Sequence, residues 1–205
     1  MKLINGVSSL FLIISAFNSI KTQNNLWIFA NFYIIYTSFM YNTHKFDLYE
    51  SFPLLDNSKI DLSDKYDIYL FNDYIAVSLL AFLNIDNSFI KNIVFACFFI
   101  DYYYNKSIAK TNFIIFFTSI INKSLTIFYT YKKYSISDEI VLSGLLNTIN
   151  ACFTLFIRYK YSYSRETQLL NVILTTIWHY NVINILSIVS YYMYCELTYN
   201  KNISI

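Results

Sequence analysis

The sequence predicts an all-α, polytopic transmembrane helix bundle of about seven spans. Three observations predict it. Long apolar runs recur along the 205 residues, at about 4–20, 26–41, 68–85, 88–104, 111–131, 139–158 and 168–195, with short polar breaks between them. A hydrocarbon core of about 30 Å takes about 20 predominantly apolar helical residues to cross, whereas packing around one small aqueous core requires helices with a polar face. The composition agrees: 56% of residues are hydrophobic and 14% charged, with mean hydropathy +0.40, where soluble domains carry about 25% charged residues. Finally, the chain contains two Gly and one Pro, far below average usage of about 7% and 5%, so few places remain to break a helix.

Taken in order, the first run opens on Lys2 and continues through Leu10-Phe11-Leu12-Ile13-Ile14 to Ser15-Ala16, a pattern shared with signal-peptide h-regions. A second apolar run begins only a few residues later, which favours a retained first helix. Residues 1–41 therefore read as an N-terminal two-helix unit. Residues 42–67 carry Lys45, Asp47, Glu50, Asp56, Lys59, Asp61, Asp64, Lys65 and Asp67 together with the single proline, Pro53. Mixed charge without periodicity reads as an extramembrane loop or a partner-binding surface. Residues 68–205 form the C-terminal bundle, a five-helix back to the two-helix front. Whether 68–85 and 88–104 are separate spans or one interrupted helix stays open at this level.

With seven spans, the side of the N-terminus collects Lys2, Lys45, Lys59, Lys65, Lys106, Lys110, Arg158, Lys160 and Arg165. The other side has Lys21, Lys91, Lys132, Lys133 and Lys201. That excess places the N-terminus in the cytoplasm or matrix. Tyrosines gather at span ends, as in Tyr102-Tyr103-Tyr104 and Tyr191-Tyr192, where rings anchor at headgroup level. Net charge is +2 with basic residues scattered, which excludes the clustered basic face of a nucleic-acid binder. Ile, Phe, Tyr, Asn and Lys replace the usual Val, Ala and Leu. This is the mark of AT-rich coding, in an organelle genome or an AT-rich nuclear or viral one, and with such hydrophobicity it favours a mitochondrially encoded product.

Few residues offer chemistry. Cys97, Cys152 and Cys195 lie within spans without CxxC spacing, as small hydrophobes do. Lys123 lies near the middle of the 111–131 run, and an ionisable group at that depth costs at least about 2.5–3.5 kcal/mol on insertion scales. It is a candidate for a proton or ion path, with Asp73 or Asp101 as the available carboxylates; the alternative is snorkelling or pairing with a neighbouring subunit. Lys91 and Asp101 are the other intramembrane polar candidates. His179 is the single histidine in a span, which supplies neither a bis-His haem site nor a copper centre; a bond to a lipid headgroup or a neighbouring helix is expected. No Gly-rich phosphate loop, Ser/His/Asp grouping or HExxH appears, and the last run lacks the lysine of a retinal protein.

The last run reads Ile177-Trp178-His179-Tyr180, then Asn181-Val182-Ile183-Asn184-Ile185-Leu186 and Ser190-Tyr191-Tyr192. It resembles the final helix of cytochrome c oxidase subunit III, where a Trp-His-Phe triplet opens a long apolar helix ending in aromatics. Phe95-Ala96-Cys97-Phe98-Phe99-Ile100-Asp101-Tyr102-Tyr103-Tyr104-Asn105-Lys106-Ser107 is similar to that family's third helix, and Thr148-Ile149 with Phe153-Thr154-Leu155 to its fifth. Together these cover about a quarter of the chain. The chain departs from the family at Lys91, where the family has an embedded Glu, with Asp86 the nearest acid. It also lacks the Asp after the triplet and the sixth-helix histidines, unless Trp178-His179 belongs to that helix.

The resemblance implies a non-catalytic subunit of the mitochondrial inner membrane that binds no cofactor of its own, haem and copper lying in partner subunits. It implies packing against the catalytic subunit of a respiratory complex and phospholipid, such as cardiolipin, in a cleft between the front pair and the back bundle. Arg158, Trp178 and His179 would contact lipid, and Lys123 would bond within the bundle. A membrane-arm subunit of NADH dehydrogenase or a membrane subunit of ATP synthase shares the composition and would use Lys123 in proton transfer. An independent transporter would show inverted repeats, and none is visible.

Overall fold

The computed structural model describes residues 2–51, 63–105, 109–160 and 168–203, and all regular structure among them is helical. The elements are α1 (Lys2–Leu10), α2 (Ile13–Ile20), α3 (Asn25–Ser51), α4 (Ser63–Leu83), α5 (Ser88–Asn105), α6 (Ala109–Thr130), α7 (Asp138–Lys160) and α8 (Gln168–Ile203). α1 and α2 are two pieces of one rod. Between them Leu12 N–H donates to Ser9 O and Ile14 N–H to Phe11 O, both at 3.1 Å, a local tightening to i−3 bonding that bends the helix without ending it. Counted so, seven rods lie on the seven apolar runs.

The breaks have local chemical causes. Asn24 Oδ1 accepts from Trp27 N–H at 3.0 Å, and Asn87 Oδ1 accepts from Phe89 and Ile90 N–H at 2.9 and 3.1 Å. Each asparagine thus caps the first turn of the following helix. α4 and α5 are accordingly separate helices, divided at 84–87. Glycine is so scarce that left-handed turn positions fall to Gln23 (φ 55°) and Ser135 (φ 57°).

Three boundaries differ from the sequence expectation. α3 runs to Ser51 and α4 starts at Ser63, so both ends of the expected 42–67 loop are helical. Helix propensity continues through the charged flanks because nothing in 42–51 breaks it. The remaining 52–62, with Pro53, Asp56, Lys59 and Asp61, lies outside the described residues. α8 continues to Ile203, beyond the expected end at 195.

α8 is the central helix. It packs against α1, α2 and α7, while α3 packs against α1, α2 and α4, and α4 against α6. The largest core joins Leu12, Trp27, Ala30 and Ile34 to Ala76 and Leu80 of α4 and to Val182, Ile183, Leu186 and Val189 of α8. The front helices are therefore welded to the back bundle.

Two stretches, Asp138–Ile157 in α7 and Val172–Ile203 in α8, are long and apolar enough to cross a membrane. Half of the α8 window is buried against 11% of the α7 window, so α7 lies at the periphery and shows its apolar surface outward. Elsewhere too apolar side chains lie outside and many Ser, Thr and Asn, residues mostly exposed in water-soluble proteins, lie inside beside the apolar core. Ser9, Ser15, Ser19, Asn31, Asn181 and Ser190 are buried, whereas Phe11, Phe17, Phe29, Phe128, Phe153 and Phe156 are more than half exposed.

Candidate functional site

Two buried polar clusters contain two of the side chains singled out from the sequence, His179 and Lys123. The first is built around His179, 4% exposed on α8. Its Nδ1 shares a hydrogen bond of 2.8 Å with Ser8 Oγ of α1, and its Nε2 one of 3.2 Å with Ser38 Oγ of α3. Hydroxyls serve as donor or acceptor, so either neutral tautomer is satisfied. Asn42 Nδ2 extends the network to Ser9 Oγ at 3.1 Å and Ser38 Oγ at 3.2 Å. The imidazole thus ties three helices together, the second of the two roles expected for it. Ser8 with His179 has the contact of a nucleophile–base pair, with both residues 4% exposed.

The second cluster surrounds Lys123. Its Nζ lies 3.1 and 3.3 Å from the two carboxylate oxygens of Asp86 and donates to both. It also lies 5.0 Å from the centroid of the Tyr192 ring, within cation–π range. The carboxylate seen against it is that of Asp86, where the sequence offered Asp73 and Asp101. Asp73 accepts from Thr37 Oγ1 at 3.5 Å, and the side chain of Asp101, in α5, lies outside the described residues. Asp86 reaches Lys123 because the α4–α5 turn is set deep: Asp86 N–H donates to Asn122 Oδ1 at 3.2 Å. Asn122 precedes the end of α6 at Thr130 by eight residues, about 12 Å at 1.5 Å per residue.

Toward that end the cluster continues through Tyr192, whose hydroxyl shares a 2.8 Å hydrogen bond with Thr130 Oγ1. Tyr134 stacks edge-on against Tyr192 with ring centroids 5.4 Å apart and donates from its hydroxyl to Glu196 Oε1 at 3.2 Å. Burial, and then the Glu196 carboxylate, push the Tyr134 hydroxyl above its ordinary range, so it remains a neutral donor. α7 and α8 are zipped by a pair of amide bonds: Asn150 Nδ2 to Asn181 Oδ1 at 3.2 Å, and Asn184 Nδ2 to Asn147 Oδ1 at 3.1 Å.

The predicted site residues do not converge. Trp178 is half-buried beside the main core, its ring 5.6 Å from that of Phe116, while the adjacent His179 points inward. Arg158 lies in α7, with its side chain outside the described residues. Lys91 is half-buried with Nζ 5.6 Å from the Phe82 ring centroid, a contact internal to the α4–α5 pair. The serines of the His179 cluster were not anticipated. Ser8 and Ser38 come from α1 and α3, so no local spacing brings them to the imidazole. Among the described residues no group of three or more His, Cys, Asp or Glu is arranged to hold a metal ion.

No family model, curated protein or solved structure matches the chain.

Proposed function

We propose that the chain is a non-catalytic, multi-pass structural subunit of a membrane-embedded respiratory complex, with all seven rods in the bilayer. The observation that carries this reading is the reversed surface. Large apolar side chains face outward on α1–α3 and α5–α8, while Ser, Thr, Asn and one His bond the helices to one another inside. In hydrocarbon, apolar burial no longer drives helix association, and interhelical hydrogen bonds with close packing take its place. Both polar clusters are spent on holding helices together, which suits a subunit whose activity belongs to its assembly.

Within that class the specific reading is a highly diverged subunit III of mitochondrial cytochrome c oxidase, in the inner membrane. Its support is the Trp178-His179 run and the 95–107 run in the sequence, with seven rods in order. Partner subunits would hold the haem and copper, and phospholipid would fill the outer apolar surface. Solubilisation of native membranes in mild detergent tests it: the chain should co-migrate with haem-containing oxidase, and migration with another complex rejects it. A second reading, a membrane-arm subunit of NADH dehydrogenase or a membrane subunit of ATP synthase, is favoured by the Lys123–Asp86 pair, since intramembrane ionisable pairs mark proton paths. Co-migration with either of those complexes would select it.

A further inference from the structure

A cleft of about 250 Å³ lies between α6, α7 and α8. A cavity of about 150 Å³ lined by aliphatic side chains already accepts benzene, so this one has room for a larger apolar group. Phe128 and Leu125 of α6 and Leu145 of α7 line it and are also half or more exposed on the outer surface. The cleft is therefore continuous with that apolar surface, and it opens where α6 and α7 barely touch. At its inner end lie Ser119 and Lys123. The lysine charge is already balanced by Asp86 at 3.1 Å, so the site offers no net charge to an anionic headgroup. Its mouth and most of its wall are apolar, which excludes water in favour of hydrocarbon.

We propose that this cleft holds one hydrocarbon chain of a membrane lipid, inserted sideways between α6 and α7 with its headgroup outside. The inference rests on the membrane reading above. It explains why α7, which packs chiefly on α8, leaves a gap toward α6: the missing wall is supplied by the bilayer.

The test uses the full chain in phosphatidylcholine vesicles containing a phosphatidylcholine with a photoactivatable diazirine in mid-chain. After irradiation, adducts are mapped by mass spectrometry of peptides. Adducts are expected on Ser119 and Ile188, which line the cleft, as well as on the outward Phe153 and Phe156. A Cβ at Gly144 would meet Ile188 at 3.5 Å, ordinary contact, so Gly144→Leu fills the cleft without overlap at its root. It displaces a few chain methylenes, and adducts at Ser119 and Ile188 should fall about tenfold while those at Phe153 persist. Thr148→Leu fills the same space from a second position and guards against misfolding of the first variant. Labelled Phe153 with unlabelled Ser119 and Ile188 in the unaltered chain would overturn the proposal. So would cleft labelling unchanged in both filled variants. Absence of labelling everywhere, Phe153 included, would instead overturn the membrane reading on which it rests.

Discussion

Lys123 and Asp86 hold each other at 3.1 Å from opposite exposures: the lysine side chain is 8% exposed and the aspartate 46%. Removing either partner therefore has unequal consequences. Asp86→Asn leaves an uncompensated buried cation, for which the expected loss is about 3 kcal/mol, the lower end for broken buried pairs. Lys123→Met leaves a carboxylate that is 46% exposed rather than a buried charge, and should cost less than Asp86→Asn. The double variant should return close to Lys123→Met. Unfolding in mixed micelles measures all three, and equal losses for the two single variants would contradict the geometry.

His179 is bonded to Ser8 and Ser38 inside the bundle. His179→Leu fills the space but removes both hydrogen bonds, at about 1 kcal/mol for each, although Ser38 Oγ keeps Asn42 Nδ2 at 3.2 Å. Ser8→Ala should cost about 1 kcal/mol. Thermal unfolding in detergent, followed by circular dichroism, should rank His179→Leu below Ser8→Ala. A His179 variant as stable as the unaltered chain would show that the imidazole does not join the helices.

The two glycines should respond in opposite directions. A Cβ at Gly6 would come within 2.5 Å of Thr43 Cγ2 and 3.3 Å of Phe39 Cε2. Thr43 is held in place because its hydroxyl donates to Phe39 O at 2.8 Å. Gly6→Ala should then separate α1 from α3 and cost about 1–3 kcal/mol, as overpacking does. Gly144→Ala meets Ile188 at 3.5 Å and should gain up to about 1 kcal/mol from helix propensity. The same unfolding assay compares them.

Ser135 occupies a left-handed position, φ 57°, in the α6–α7 turn. For a residue with a Cβ that conformation costs about 1–2 kcal/mol. Ser135→Gly should therefore stabilise the protein, by about 1 kcal/mol after the added freedom of the unfolded glycine is subtracted. A lower melting temperature for Ser135→Gly would show that the serine side chain contributes more than the strain removes.

The helices were legible in the sequence because each apolar run is long and lies between polar breaks. Asn24 and Asn87 mark two of those breaks as caps. The charged segment misled: 42–51 and 63–67 are helical, because charge alone does not stop a helix and the proline lies farther on. Lys123 was recognised as a site of interest, but its partner was not. Asp86 stands in a turn and resembles a solvated loop acid until the depth of that turn is known. The His179 cluster is likewise a tertiary fact. Ser8 is 171 residues from His179, and no local spacing joins them. Trp178 and His179, adjacent in the sequence, meet different neighbours because successive helical positions point about 100° apart.

Alkaline extraction of the native membranes tests the central claim most directly. Carbonate at high pH opens vesicles and releases proteins held only at the surface, whereas a chain whose helices meet lipid through Phe17, Phe29, Phe128 and Phe153 should remain in the pellet. Complete release into the supernatant, with a monodisperse chain in buffer free of detergent, would contradict the account.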